Sequence, residues 1–180
     1  MKKTKSIVAL ACVIIVSIAI FKIYYSIPNE LEKITSPNGK ITATIVENRG
    51  DIIIETNKSN PILIDSESKI EYGMSAFSDD SRYLFVAAEK TGYGNIELID
   101  FQNNRWETVN IISIIRTSDE FKAFAADNGI EECHEQTVTV LDIYGQGIVN
   151  TSYHFNDQSG KCYTPLIWLD LVNQKVEVFK

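Results

Sequence analysis

Three of the 180 residues are cysteine, nine are glycine and four are proline. So little glycine and proline excludes a collagen-like or low-complexity chain, and so few cysteines exclude a small scaffold held by several disulfides. Basic residues are also scarce, because 17 lysines and arginines stand against 24 acidic residues, a net charge of −7. A nucleic-acid-binding protein needs a basic surface, so the sequence predicts no nucleic-acid partner.

The N-terminus carries the longest uncharged run. Three lysines among the first five residues precede an uncharged stretch, 6–21, which Lys22 and two tyrosines follow. The segment 6–25 would form a helix about 30 Å long, the thickness of a membrane's hydrocarbon core. Because the lysines cluster on its amino side, the positive-inside rule predicts a cytoplasmic N-terminus. Residues 1–27 are therefore predicted to be a single-pass signal anchor in the cell membrane.

Two other fates of this segment remain open. Ser17 and Ala19 are small residues at positions that suit cleavage by a signal peptidase. The string before Cys12, Ala9-Leu10-Ala11, is similar to the recognition sequence for lipidation. In all three cases residues 28–180 are predicted to form an extracytoplasmic domain. Only four basic residues precede position 26, so the part from 26 onward holds 13 basic against 24 acidic residues, a net charge of −11.

Two cysteines lie in the exported part, at positions 133 and 162. An oxidising compartment favours a disulfide, so Cys133 and Cys162 are predicted to be bonded. With His134 and His154 they also offer two sulfurs and two imidazoles, a set that zinc accepts. Since the adjacent pair Cys133-His134 lacks the usual spacing of zinc ligands, the sequence predicts the disulfide and neither a metal nor a cofactor.

From residue 28 onward, short apolar runs alternate with turn residues every eight to twelve positions, which is typical of antiparallel β structure. The strings Ser36-Pro37-Asn38-Gly39-Lys40 and Ser78-Asp79-Asp80-Ser81 are predicted turns, each followed by a strand, a glycine-containing turn and another strand. Four further strands are predicted at 137–143, 148–155, 163–171 and 176–179.

One helical insertion interrupts the β pattern near 117–128. Thr117 and Glu120 have the spacing of a capping box, and Asn128-Gly129 suits the end of a helix. Apolar residues at 111, 114 and 115 have the same helical spacing, so a helical turn can begin earlier.

The β units repeat along the chain. The two predicted turns start 42 residues apart, and Leu169-Asp170-Leu171 near the C-terminus matches Ile99-Asp100-Phe101. In these features residues 34–109 and 163–180 resemble TolB-like and WD40-like β-propeller repeats, whose blades carry a Ser-Pro-Asp-Gly-Lys turn and a strand that ends in Asp-Leu. The resemblance implies a mainly β domain of antiparallel, propeller-blade-type hairpins with one short helical insertion.

The length of the chain limits this resemblance. Fewer than four periods of 42 residues fit after residue 25, and a propeller needs about four blades to close. One chain is therefore too short for a closed propeller. A blade-like stack, an open sandwich and a propeller completed by a second chain stay open.

Candidate sites are few. The exported part has two histidines and no Gly-x-Ser-x-Gly motif, so no catalytic residue is predicted. Aspartates in turns at 79–80 and 157 lack further ligands at the spacing that calcium needs. The polar side chains that a hydrolase could use are Glu131, Glu132, His134 and His154. The aromatic side chains that could stack on sugars, instead of filling the core, are Tyr93, Trp106, Tyr163 and Trp168.

The sequence thus predicts a membrane-anchored, extracytoplasmic interaction or ligand-binding module without catalytic activity. Its predicted contacts are the membrane, through residues 6–25, and a protein or another component of the cell envelope. The alternatives are an envelope-associated hydrolase and an inhibitor or immunity-like protein, for which an acidic surface would suit a basic target.

Overall fold

Antiparallel sheets form one after another along the chain. The computed structural model describes residues 28–48, 51–64, 70–90 and 94–179, so the predicted signal anchor lies outside the described residues. Among the described helices, none is long and apolar enough to cross a membrane. The described strands form three sheets, which confirms that the chain is mainly β and is consistent with a propeller-like segment.

Each sheet is built from neighbouring stretches of chain. In the first and second sheets the strands are ordered as in the sequence, because turns join consecutive antiparallel strands. The first sheet contains β1 (Asn29–Thr35), β2 (Thr42–Asn48), β3 (Asp51–Thr56) and β4 (Ile62–Ile64). The second contains β5 (Ile70–Phe77), β6 (Tyr83–Lys90), β7 (Asn95–Asp100) and β8 (Arg105–Asn110).

The third sheet follows two helices. Its strands β9, β10, β12 and β13 pair in this order, and the short β11 pairs with the end of β10 beyond β12. The predicted strand 148–155 pairs with both parts of the predicted strand 163–171, which are β11 and β12. The bounds are α1 (Ile111–Thr117), α2 (Asp119–Asp127), β9 (His134–Tyr144), β10 (Ile148–Asn156), β11 (Cys162–Tyr163), β12 (Leu166–Asp170) and β13 (Lys175–Phe179).

The helical insertion was predicted in the right place but with the wrong cap. Thr117 still belongs to α1, where its hydroxyl donates to the Ser113 carbonyl at 2.9 Å. Ser118 has an extended backbone, and its Oγ accepts from the Phe121 amide at 3.1 Å, so Ser118 is the N-cap of α2. Asn128 ends α2, as the sequence predicts.

One turn recurs between the third and fourth strands of every sheet. The side-chain oxygen of Asp100 accepts from the backbone N–H groups two and three positions later, at 2.9 and 3.1 Å. Asp170 makes the same two bonds at 3.1 and 2.9 Å, and the Thr56 hydroxyl makes them at 3.3 and 3.0 Å. The similarity of Asp100 and Asp170 in sequence therefore reflects one repeated structure, of which Thr56 is a third copy.

This turn aligns the three sheets residue by residue. On the neighbouring strand, Thr56 pairs with Ala43, Asp100 with Tyr83, and Asp170 with Ile148. The three turn residues are therefore equivalent to one another in the repeat, and so are their three partners. Side chains alternate between the two faces of a strand. We call the face of each sheet that contains the turn residue and its partner the leading face. The opposite face of the same sheet is the trailing face.

The sheets pack leading face to trailing face. One apolar cluster joins the leading face of the first sheet, with Ile45 and Ile54, to the trailing face of the second, with Val86 and Ile99. A second cluster joins the leading face of the second sheet, with Phe85 and Leu98, to the trailing face of the third and to the helices. The order of packing repeats the order of the chain.

Candidate functional site

The leading face of the third sheet is open. Its positions Leu166 and Trp168 are equivalent to Ile52 and Ile54 of the first sheet and to Ile96 and Leu98 of the second, all of which are buried. In the third sheet the equivalents are between 41% and 46% exposed. The third-sheet leading face is defined here by Tyr144, Ile148, Asn150, Leu166, Trp168 and Phe179.

Aromatic rings form a diagonal across this face. The Trp168 ring centroid lies 6.5 Å from that of Tyr144 and 5.2 Å from that of Phe179. The rings are inclined to each other by 45° and 54°. They therefore form one aromatic row with an uneven surface, flanked on the same face by the carboxylates of Asp142 and Glu177. Exposed large apolar side chains that lie together mark a binding surface.

A polar atom within the patch lacks a partner. Among the described residues, the buried Oδ1 of Asn150 accepts no hydrogen bond. Asn150 pairs with Trp168 on the neighbouring strand, and its equivalents Ile45 and Phe85 are apolar core residues. An unsatisfied buried acceptor costs free energy, so Asn150 is a polar exception at a position that is apolar in the other two sheets.

The structure does not support the predicted disulfide. Cys133 and Cys162 are free thiols. His134, which follows Cys133, and Cys162 both pair with Asn156, from opposite sides of β10. Strands are about 4.8 Å apart, which separates the two outer backbones by about 10 Å, whereas a disulfide needs Cα atoms within about 7 Å. Since sequence spacing does not reveal strand order, the intervening strand could not be foreseen.

Of the two cysteines and two histidines, Cys162 and His154 come together, and His134 lies apart from them. The sulfur of Cys162 lies 3.6 Å from Nδ1 of His154, which is also 3.2 Å from the Thr164 hydroxyl. His134 instead pairs with Glu132 at 3.2 Å, at the surface. Within the described ranges, no three metal-binding side chains come together. These positions give little support to the alternative of an envelope hydrolase.

Cys133 lies partly inside the core. Burial raises the pKa of its thiol and also that of the Tyr153 hydroxyl, which donates to Gln136 Oε1. The Tyr153 ring packs against Phe155, with centroids 5.0 Å apart, in the cluster beneath α2. This region stabilises the junction between the helices and the third sheet.

A charged cleft lies between the second and third sheets, with a volume of about 190 Å³. Arg82 contacts both carboxylate oxygens of Asp100, at 3.2 and 2.7 Å, and Arg105 contacts Glu107 at 3.3 Å. The bonds from Arg82 hold the pKa of Asp100 well below its usual range. Because these charges are already paired with each other, the cleft is a structural feature of the repeated turn.

One carboxylate is buried between the first and second sheets. Glu97 lies on the trailing face of the second sheet, where its Oε2 accepts from Trp106 Nε1 at 2.7 Å and from the Thr108 hydroxyl at 2.9 Å. Burial raises the pKa of Glu97 although these two bonds lower it. Trp106, one of the predicted sugar-stacking residues, thus has a structural partner.

The remaining candidates also have structural roles. Asp157 Oδ1 accepts from the backbone of Ser159 and Lys161 at 2.8 and 2.9 Å, and Asp79 accepts from Gln146 at 2.6 Å. The Tyr163 ring stacks on Phe155 in the core, at 5.4 Å, and Tyr93 lies outside the described residues. Of the candidate aromatic residues with a described position, Trp168 belongs to the open patch.

Sequence reasoning named Trp168 but missed the surface around it. In the sequence Leu166-Ile167-Trp168-Leu169 is a continuous apolar run, without a polar residue that would mark an exposed face. Such a run is compatible with either face of the strand being buried. Only the alignment of three sheets shows that these side chains occupy positions that are internal elsewhere.

The fold and this surface describe a mainly β chain with an open end to its stack of sheets. No protein-family model matches the chain, and no curated protein matches it. Among solved structures, the chain is similar to a protein from Lactobacillus plantarum studied by a structural genomics consortium. The two are 10% identical with a TM-score of 0.38, and the match covers 85% of this chain and 55% of that one. The chain thus spans about half the length of that protein.

Proposed function

We propose that this protein is a membrane-anchored, extracytoplasmic interaction module without catalytic activity, and that the third-sheet leading face binds its partner. The observation that carries the binding surface is the exposure of Leu166 and Trp168 at positions that are core positions in the first two sheets. The anchor and the compartment follow from the basic N-terminus and the apolar segment 6–25.

The form of the patch favours a protein partner over a polysaccharide. Sugar rings stack on flat aromatic faces, whereas Tyr144, Trp168 and Phe179 are inclined to one another by 45° and 54°. A protein surface can follow such relief, and large aromatic side chains contribute most to protein interfaces.

Site-specific cross-linking tests the binding surface. A photoreactive phenylalanine analogue replaces Trp168 in the full chain, produced in living bacterial cells. The control carries the analogue at Val172, which is similarly exposed but lies in the turn after β12. We expect a discrete cross-linked protein from position 168 and none from position 172. No product at 168, equal products at both positions, or binding of the chain to insoluble cell-wall polysaccharide that Trp168→Ser abolishes would overturn the proposal.

Protease protection tests the compartment separately. Protease added to intact protoplasts should degrade a C-terminal tag on the full chain, because residues 28–180 are then outside the membrane. A control protein in the cytoplasm of the same cells should remain intact. Protection of the tag until the protoplasts are lysed would reverse the proposed topology.

A further inference from the structure

We infer that the partner of the third-sheet leading face is a basic protein, which covers the aromatic row with apolar side chains and brings lysine or arginine side chains to the carboxylates beside it. This inference rests on the proposed function, since it states the chemistry of the partner at the same surface. Three features of the described residues carry it: two carboxylates in line with Trp168, the lack of cations near them, and an acidic groove beside β13.

Two carboxylates lie at the ends of a line of paired residues that crosses the third sheet. The line runs over β9, β10, β12 and β13 in the order Asp142, Asn150, Trp168 and Glu177. Neighbouring strands are about 4.8 Å apart, so Glu177 is next to Trp168, and Asp142 lies two strands away on its other side. A guanidinium or ammonium group over the Trp168 ring can therefore stack on the ring and also reach the Glu177 carboxylate.

Basic side chains are scarce on the four strands that form this line. These strands contain one lysine and no arginine, and that residue, Lys175, is opposite Asp170 on the neighbouring strand. Asp142 accepts from the Ile143 amide at 2.9 Å, and no ion pair joins it to another described residue. The surface beside the aromatic row is therefore negative.

The equivalent glutamate of the second sheet has a cation of its own. Glu107 pairs with Leu98 as Glu177 pairs with Trp168, so the two glutamates occupy the same position of the repeat. Arg105 contacts Glu107 at 3.3 Å, whereas the exposed Glu177 forms no ion pair with a described residue. A lysine or arginine of a bound partner would supply the cation that the third sheet lacks at this position.

An acidic groove continues this surface around β13. The groove lies between α2 and β13, has a volume of about 440 Å³, and includes Glu177 and Phe179 in its lining. The carboxylates of Glu120 and Asp127 and the ring of Phe124 also line it, and no basic residue of the described chain does so. A partner that extends from the aromatic row over β13 therefore meets more apolar surface bordered by negative charge.

The charge of the whole domain favours the same class of partner. From residue 26 onward the chain has 13 basic and 24 acidic residues, a net charge of −11. Such a charge attracts a basic protein before contact and accelerates its association. A small inorganic cation would leave the aromatic row exposed to water, whereas a basic protein covers the row and neutralises the carboxylates beside it.

Cross-linking of the purified full chain to charged polymers tests the inference. The chain carries the photoreactive analogue at position 168, is purified in an uncharged detergent, and is irradiated with poly-L-lysine or poly-L-glutamate. We expect adducts with poly-L-lysine and none with poly-L-glutamate. Glu177→Lys should lower the yield of adducts about fivefold, whereas Glu107→Lys, the same change at the equivalent position of the second sheet, should leave the yield nearly unchanged.

The two variants have the same net charge, so they separate a local effect from a general one. Equal yields with the two polymers, or equal losses in the two variants, would overturn the basic partner. Circular dichroism shows whether each variant is folded. If a lysine variant is not, Glu177→Gln and Glu107→Gln take the place of the pair, with the same direction of effect expected.

The same variants in living cells distinguish this inference from the proposed function. Glu177→Lys should lower the yield of the protein cross-linked at position 168, and Glu107→Lys should not. The region of that protein attached to position 168, identified by mass spectrometry, should be rich in lysine and arginine. A cross-linked protein whose yield is unchanged by Glu177→Lys would overturn the basic partner and leave the proposed function standing. No product at position 168 would overturn both.

Discussion

Trp168 and Leu98 occupy the same position in the third and second sheets, yet Trp168 is 41% exposed and Leu98 is 9% exposed. The difference arises from what lies beyond each sheet. The second sheet is followed by a third within the chain, and in the described part of the chain no fourth sheet follows the third. The exposure of Trp168 is thus a property of its place in the stack.

Leu98→Ala and Trp168→Ala should therefore differ in their effect on stability. Leu98→Ala opens a cavity between two packed sheets and should lower the free energy of unfolding by about 2–5 kcal/mol. Trp168→Ala removes a larger side chain from a face that water already reaches, and should cost about 1 kcal/mol or less in the monomer. Urea unfolding at low protein concentration compares the two. An equal loss for both variants would mean that the third-sheet leading face is covered within one chain.

The repeated turn provides a matched pair of aspartates. Asp100→Ala removes the side-chain acceptor of two backbone N–H groups and leaves the Arg82 guanidinium, which is 34% exposed, without its partner, so it should cost about 2 kcal/mol. Asp170→Ala removes the same backbone bonds in the third sheet without such a partner, and should cost about 1 kcal/mol. A double-mutant cycle with Arg82→Ala should show coupling to Asp100 and none to Asp170. Coupling of equal size at both aspartates would contradict the role given to Arg82.

The buried carboxyl group of Glu97 should make the free energy of unfolding depend on pH. Burial raises its pKa in the folded state above the ordinary value of 4.5, so the folded state holds the proton more tightly than the unfolded state does. The resulting stabilisation is present below the unfolded pKa and is lost as the pH rises through the folded pKa. Because Glu97→Gln cannot ionise, its stability relative to wild type should increase from about pH 4 to about pH 7.

Chemical denaturation of both proteins across this pH range measures the effect. Glu107→Gln, an exposed change on the neighbouring strand, is the control. A constant difference between Glu97→Gln and wild type would show that Glu97 does not titrate differently in the folded and unfolded states.

The two thiols should react at different rates. Cys162 is exposed, whereas Cys133 is partly buried and burial raises its pKa, which leaves less of the reactive thiolate. In a Cys12→Ser background, iodoacetamide should modify Cys162 first and Cys133 slowly, as mass spectrometry of the peptides can show. A peptide pair linked through Cys133 and Cys162 in unreduced protein would contradict the strand order of the third sheet.

The sequence by itself determined the local structure of this protein. Turn residues and alternating apolar runs located most of the strands, because turn chemistry and the two-residue period act over a few neighbours. The strands β1, β4 and β5 were not predicted, and the predicted strand 163–171 is divided into β11 and β12. The match between Asp100 and Asp170 identified a real repeat for the same reason, since its hydrogen bonds span only three residues. The boundary of α2 was wrong by one residue because Thr117 and Ser118 can both cap a helix.

Tertiary structure decided everything that depends on residues far apart. Cys133 and Cys162 were predicted to be bonded, but the order of strands places β10 between them, and spacing along the chain carries no record of that order. The sequence named Trp168 as a candidate binding residue but did not identify the residues around it. Those neighbours became clear from the alignment of the sheets, which showed which face of each strand is internal. Successive side chains of a strand lie on two different faces. The packing of whole sheets determines which of the two faces water reaches.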